Sequence, residues 1–136
     1  MGFDDDLDLG VSYEKRAVDY FDHTEYEHKT GYFKEYDLIF DNNIKVEVKI
    51  DRLGMNTGNF CIEYMYNNIE SGISSTKSDY YLYFMVGNSK EYVYKIPTVK
   101  IREIIKNNNF RSIDCGDGRR SKCYLINREV FKDYLL

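Results

Sequence analysis

The sequence predicts an α/β fold of the α+β kind, a central mixed sheet flanked by helices, and three observations carry that expectation. A chain of 136 residues with 43% hydrophobic content is the size of one ordinary domain with its own core, so residues 1–136 read as a single domain. Its middle is a succession of short segments rich in β-branched and aromatic residues. Stretches with helical spacing bracket those segments, and the order helix, strand meander, helix, strand is that of layered α/β packing.

The chain opens on Asp4, Asp5, Asp6 and Asp8, which read as an acidic, solvated and disordered tail over residues 1–9. The first helix is expected from about Val11 to Asp22, with Ser12 as its N-cap. Val11, Ala17, Val18 and Phe21 then share one face with Glu14. A carboxylate on an apolar stripe is either a boundary residue whose head reaches water or part of a site. His23 and His28 fit neither one helix face nor a zinc motif and read as solvated loop residues.

Strands are expected at Tyr36–Phe40, Ile44–Ile50, Asn59–Tyr66, Tyr80–Val86 and Glu91–Ile96. A helix follows from about Thr98 to Asn108, capped by Thr98 after the only proline, Pro97, and carrying Val99, Ile101, Ile104 and Ile105. Lys122–Ile126 reads as a further strand, and Asn127 as the cap of a last helix running through Phe131 to Leu135.

The hairpin formed by Tyr36–Phe40 and Ile44–Ile50 holds the chemistry. A three-residue loop, Asp41 to Asn43, pairs Phe40 with Ile44, Leu38 with Val46 and Tyr36 with Val48, which makes one face apolar. The same register sets Asp37 opposite Glu47 with Cβ atoms ~5 Å apart, a destabilising juxtaposition of like charges. A divalent cation between them would remove the conflict, since Mg²⁺ takes oxygen ligands and typically uses one or two carboxylates with water and phosphate. Lys49 lies on that face about 7 Å beyond Glu47. A lysine there can orient or deprotonate an attacking water and offset charge on a phosphoryl transition state.

Asp37, nine variable residues and then Glu47-Val48-Lys49 resemble the D…(D/E)xK motif of the PD-(D/E)xK nuclease superfamily, which includes restriction endonucleases, Holliday-junction resolvases and RecB-type exonucleases. The resemblance implies a restriction-endonuclease-like core, Mg²⁺ or Mn²⁺ bound by Asp37, Glu47 and the Val48 carbonyl, and catalysis by Lys49. Glu14 is similar to an N-terminal metal-supporting glutamate of the resolvases. Thr57–Tyr64 and Ser71–Tyr81 are similar to segments of small phage-encoded members, which implies supporting roles for Glu63, Thr76 and Lys77. The resemblance covers roughly residues 12–86. Tyr36 stands where the family name supplies proline, a position known to vary.

Gly54-Met55-Asn56-Thr57-Gly58 is too loose for a phosphate loop but could be a mobile, substrate-contacting one. Cys61, Cys115 and Cys123 are odd in number and lack CxxC spacing, which argues against a disulfide framework or zinc ribbon and for buried thiols. The net charge of −4 divides unevenly, with 17 acidic and 8 basic residues over 1–89 against 6 and 11 over 90–136. Arg119, Arg120 and Lys122, on a turn in the basic part, are either an exposed hairpin tip or a phosphate contact.

With no apolar run long enough to span a bilayer and an acidic N-terminus, no membrane association is expected, and the expected compartment is the cytoplasm of a bacterial or phage-infected cell. The leading function is a Mg²⁺-dependent, structure-selective DNA endonuclease, with branched DNA as a candidate substrate and a homodimer supplying two sites for two-strand cleavage. The alternatives are a non-catalytic nucleic-acid-binding or assembly module on the same fold, and an exonuclease or RNA-processing enzyme.

Overall fold

The computed structural model describes residues 3–29 and 35–136, apart from the side chains of residues 3–8 and 117. Helix α1 spans Phe3–Ala17, and a 3-10 turn follows over Val18–Tyr20. Strands β1 (Tyr26–His28), β2 (Leu38–Phe40) and β3 (Lys45–Asp51) come next. A helical turn α2 (Gly54–Thr57) leads into β4 (Asn59–Tyr66), β5 (Ile69–Glu70) and a 3-10 turn over Gly72–Ser74. The chain continues through β6 (Tyr80–Val86), β7 (Glu91–Pro97), α3 (Thr98–Asn107), β8 (Arg111–Cys115) and β9 (Ser121–Asn127), and closes on a 3-10 segment over Arg128–Tyr134.

The protein is mixed α/β with a mixed central sheet, but two sheets replace the one that was expected. The larger has the order β1-β2-β3-β6-β7 and the smaller β5-β4-β9-β8. In the larger, β3 and β6 are parallel and the remaining pairs antiparallel. Strand β6, YYLYFMV, is the hub because an uninterrupted apolar run can be buried on both faces. Leu82 and Phe84 face α1, where Ala17, Val18, Phe21, Leu38, Phe40 and Val46 complete one core. Tyr81, Tyr83 and Met85 face the smaller sheet and α3, where Phe60, Ile62, Ile96, Ile101, Ile126 and Phe131 form the second.

A parallel pair needs a crossover. Between β3 and β6 it carries α2, β4, β5 and the Gly72–Ser74 turn, so the connection contributes strands to the smaller sheet. The sequence hid this because β4 pairs with β9, sixty residues away in the chain, and such pairing leaves no local periodic signal.

Several local expectations are corrected. The first helix begins at Phe3, so residues 3–9 are helical, and Ser12 is interior rather than a cap; residues 1 and 2 lie outside the described set. Val11 is exposed, and the buried stripe runs through Ala17, Val18 and Phe21. Thr98 opens α3 from within and gives its hydroxyl to a contact with Ser78 at 3.2 Å, leaving Pro97 at the cap position. Asn127 does cap the last segment, accepting the Glu129 N–H at 2.9 Å, though that segment is 3-10. Gly54–Gly58 is no open loop: Asp51 accepts the Leu53 and Gly54 N–H groups at 2.9 and 2.8 Å, and Gly58, at φ 74°, closes the turn on the Gly54 carbonyl.

Candidate active site

The register of β2 and β3 is the one expected, with Leu38 opposite Val46 and Ile39 opposite Lys45. Alternation along β3 therefore sends Val46 and Val48 toward α1, and Glu47, Lys49 and Asp51 toward the smaller sheet. Strand β2 starts at Leu38, and Asp37 immediately precedes it, 4% exposed. Its Oδ2 accepts the Val48 N–H at 2.7 Å, its own N–H donates to the Val46 carbonyl at 2.9 Å, and its carbonyl accepts the Lys29 N–H at 2.9 Å. The N–H and C=O of one strand residue point to the same side, so the Val48 carbonyl is turned toward Asp37 and away from β6.

Glu47 and Lys49 form an ion pair, Oε1 to Nζ, at 3.4 Å. Burial disfavours the Lys49 ammonium, but Glu47, Tyr81, Asp37 and Glu63 together outweigh it and hold the lysine above its usual range. Lys49 is thus held as an ammonium paired with Glu47. Glu63 approaches from β4 and accepts the Ser71 hydroxyl at 3.1 Å. Gly72, at φ 54°, packs so closely on Glu63 that an added Cβ would stand 2.2 Å from the Glu63 carbonyl oxygen.

Tyr81 was not anticipated. It pairs with Glu47 in the parallel ladder, is 2% exposed, and its buried hydroxyl has no hydrogen-bond partner among the described residues. Burial pushes its phenol up, with Lys49 opposing and Glu47 and Glu63 adding to the shift, so the group is a neutral hydroxyl among charges. A buried unpaired hydroxyl demands a missing partner such as water or an ion. Fourteen tyrosines in the sequence gave no means of singling this one out. Asp51 was also missed, although it continues the Glu47, Lys49 alternation; both its oxygens are engaged, Oδ2 by the Tyr83 hydroxyl, so its role is to hold α2.

Glu14 lies in the helical layer, with His28 Nδ1 at 3.6 Å from its Oε2, so His28 is a strand residue with a carboxylate neighbour and not a solvated loop residue. His23 is likewise engaged, its Nδ1 2.7 Å from the Phe21 carbonyl and its ring over Phe40. Among the described residues no three acids bring carboxylate oxygens within 4.8 Å of one another, so neither Glu14 nor Glu63 completes a three-carboxylate set with Asp37 and Glu47. Thr76 is buried; its hydroxyl donates to the Glu35 carbonyl at 3.0 Å and accepts the Ser78 N–H at 3.1 Å. It anchors the segment that leads into Asp37. Lys77 is exposed, and its N–H donates to the same Glu35 carbonyl at 3.0 Å. Arg119, Arg120 and Lys122 are exposed at the β8–β9 hairpin, whose tip is tied to the β4–β5 turn by the Asn67 N–H on the Arg120 carbonyl at 2.8 Å.

A groove of about 450 Å³ opens beside the site, lined by Leu9, Lys49, Asp51, Arg52, Cys61 and Tyr83 among others. Cys61 belongs to a sulfur cluster that the sequence did not suggest. Cys115 and Cys123 are placed as a disulfide pair across the β8–β9 hairpin, and the free Cys61 has its Sγ 3.9 Å from that of Cys115.

No protein-family model, no curated protein and no solved structure matches this chain. Among the described residues, no helix is long and apolar enough to cross a membrane.

Proposed function

We propose that the protein is a Mg²⁺- or Mn²⁺-dependent nuclease that hydrolyses phosphodiester bonds in DNA, built on a restriction-endonuclease-like arrangement of β2, β3 and β6. The observation that carries this reading is the Asp37 carboxylate fixed on the Val48 N–H, on the sheet face that also bears the Glu47–Lys49 pair. The donor set fits a hard divalent cation: two carboxylates, a carbonyl turned the same way, and the unpartnered Tyr81 hydroxyl nearby. Asp37, Glu47 and the Val48 carbonyl would hold the ion, which when bound supplies an acidified water and a polarised phosphate.

The chain's own groups do the rest. The Val48 N–H fixes one Asp37 oxygen and so orients the carboxylate. The Lys49 ammonium sits where it can donate to a phosphate oxygen and offset charge that grows in the transition state. With a cation held by the carboxylates, the pull that keeps Lys49 protonated would weaken, and the lysine would be able to exchange a proton with water. The exposed cations of the β8–β9 hairpin supply phosphate contacts that do not depend on sequence. Branched DNA as substrate, a homodimer with paired sites and a cytoplasmic location complete the proposal.

The deciding experiment incubates the purified protein with Mg²⁺ or Mn²⁺ and single strands, duplex, flaps and four-way junctions of DNA, with RNA alongside. Cleavage is expected that needs the cation and is lost in Glu47→Ala and Lys49→Ala. Binding without cutting would establish the non-catalytic module instead.

A further inference from the structure

Cys61, Cys115 and Cys123 lie on three neighbouring strands, β4, β8 and β9, with β9 in the middle. The register sets Cys123 opposite Glu63 on one side and Ile113 on the other, so Cys61 and Cys115 flank it diagonally. Despite a separation of 54 residues between Cys61 and Cys115, the three sulfurs converge within 4.8 Å of one another. Cys123 is 3% exposed and the other two are half-buried, so the cluster is shielded yet reachable from the groove that Cys61 lines.

A disulfide between Cys115 and Cys123 engages two of these sulfurs and leaves Cys61 unexplained. A thiophilic cation would engage all three. Zn²⁺ binds thiolates at about 2.3 Å, which sets tetrahedral sulfur neighbours roughly 3.8 Å apart, and the Cys61–Cys115 separation of 3.9 Å already matches. We infer that, in the reduced protein, Cys61, Cys115 and Cys123 form a three-thiolate site for a soft d¹⁰ cation of the Zn²⁺ class, with water in the fourth position.

The chemistry balances. A dithiol reductant delivers two electrons and two protons to open the Cys115–Cys123 bond and closes to its own disulfide, and cation binding then releases the three thiol protons to solvent. The site would join β4 to the β8–β9 hairpin and so fix the tip bearing Arg119 and Arg120. It is separate from the carboxylate site in ligand type, since hard Mg²⁺ prefers oxygen and Zn²⁺ accepts sulfur.

The test uses the full chain, reduced, loaded with Zn²⁺ or Co²⁺ and freed of excess metal under anaerobic conditions. One cation per chain should remain, and the cobalt form should show thiolate-to-metal charge-transfer absorption in the near ultraviolet. Bound Zn²⁺ should protect all three cysteines from alkylation, and a chelator should expose them. Cys61→Ser should lose most of the retained metal. Should that variant fail to fold, the alkylation pattern of the wild-type protein decides alone. Reduced protein that retains no cation, or a Cys115–Cys123 bond that persists through reduction while Cys61 alone alkylates, would overturn the inference.

Discussion

The Asp37 carboxylate accepts the Val48 backbone N–H at 2.7 Å, so the side chain expected to stand against Glu47 is also a clasp between the end of β2 and the middle of β3. That dual role separates two substitutions. In Asp37→Asn the amide oxygen can still take the N–H, so stability should stay within about 1 kcal/mol of wild type while cation-dependent cleavage disappears. In Asp37→Ala the buried N–H loses its acceptor, which costs about 1–3 kcal/mol. Urea denaturation of both variants checks this. Equal stabilities would show that the clasp contributes nothing.

Tyr81 is the complementary case, a buried hydroxyl with no partner among the described residues. Tyr81→Phe removes an unsatisfied polar atom and keeps the ring, so the metal-free protein should be unchanged or more stable by about 1 kcal/mol. If the hydroxyl serves the bound cation or its water, the same variant should bind Mn²⁺ more weakly and cut more slowly. Thermal melts with and without Mn²⁺ read both effects: a raised melting temperature without the ion and a smaller ion-induced shift are expected. An unaltered ion-induced shift would remove Tyr81 from the site.

Gly72 shows how tightly β4 is set. Its φ of 54° disfavours any side chain, and a Cβ would stand 2.2 Å from the Glu63 carbonyl oxygen, backbone that cannot yield as a flexible side chain can. Gly72→Ala should therefore cost about 2–4 kcal/mol, well beyond an ordinary surface change. It should also move Glu63 away from Lys49. Equilibrium unfolding gives the first quantity, and a cost below that of a typical surface substitution would mean the turn relaxes freely.

What could be read in the sequence was local or fixed by alternation. The β2–β3 register followed from the requirement that Leu38 and Val46 share a face, and it placed Glu47 and Lys49 correctly on the opposite one. The buried run Tyr80–Val86 and the helix after Pro97 were equally legible. The smaller sheet was not, because β4 pairs with β9 across a long stretch of chain, and β8 (RSIDC) carries too few apolar residues to announce itself. The sulfur cluster was hidden for the same reason: its members meet only after those strands pair. Glu14 shared the stripe of Val18 and Phe21 as expected, yet that stripe packs on the α1 side of the sheet, while Glu47 and Lys49 point to the other.

The basic hairpin tip should act through charge alone. Arg119, Arg120 and Lys122 are exposed, so replacing all three with glutamine should leave stability within about 0.5 kcal/mol. Affinity should fall alike for all DNA sequences, and the slope of log K against log salt should flatten by up to ~3 units. Fluorescence anisotropy across a salt series measures it. A slope equal to wild type would take these residues out of the interface.

The Arg16–Glu91 pair ties α1 to β7, with Nη1 to Oε1 at 2.9 Å and a second contact from Nη2 to Oε2. The hydrogen bond from Arg16 holds the Glu91 carboxyl below its usual range, against burial and with help from the guanidinium charge. A carboxyl whose folded pKa lies below its unfolded value of about 4.3 stabilises the fold above that value, and the contribution is lost as pH falls through the folded one. The two side chains are 44% and 27% exposed, so solvent screening limits the pair to about 1 kcal/mol or less despite its bidentate geometry. Glu91→Gln should therefore lower stability by roughly 0.5–1 kcal/mol at neutral pH, with the deficit shrinking below about pH 4 as the wild-type carboxyl protonates. Added salt should shrink it too, whereas the Arg16 contacts with the Tyr13 and Phe84 rings, at 4.8 and 5.2 Å from their centroids, would persist in the variant. Denaturation of both proteins between neutral and acid pH provides the comparison, and a deficit that grows as pH falls would reverse the sign assigned to Glu91.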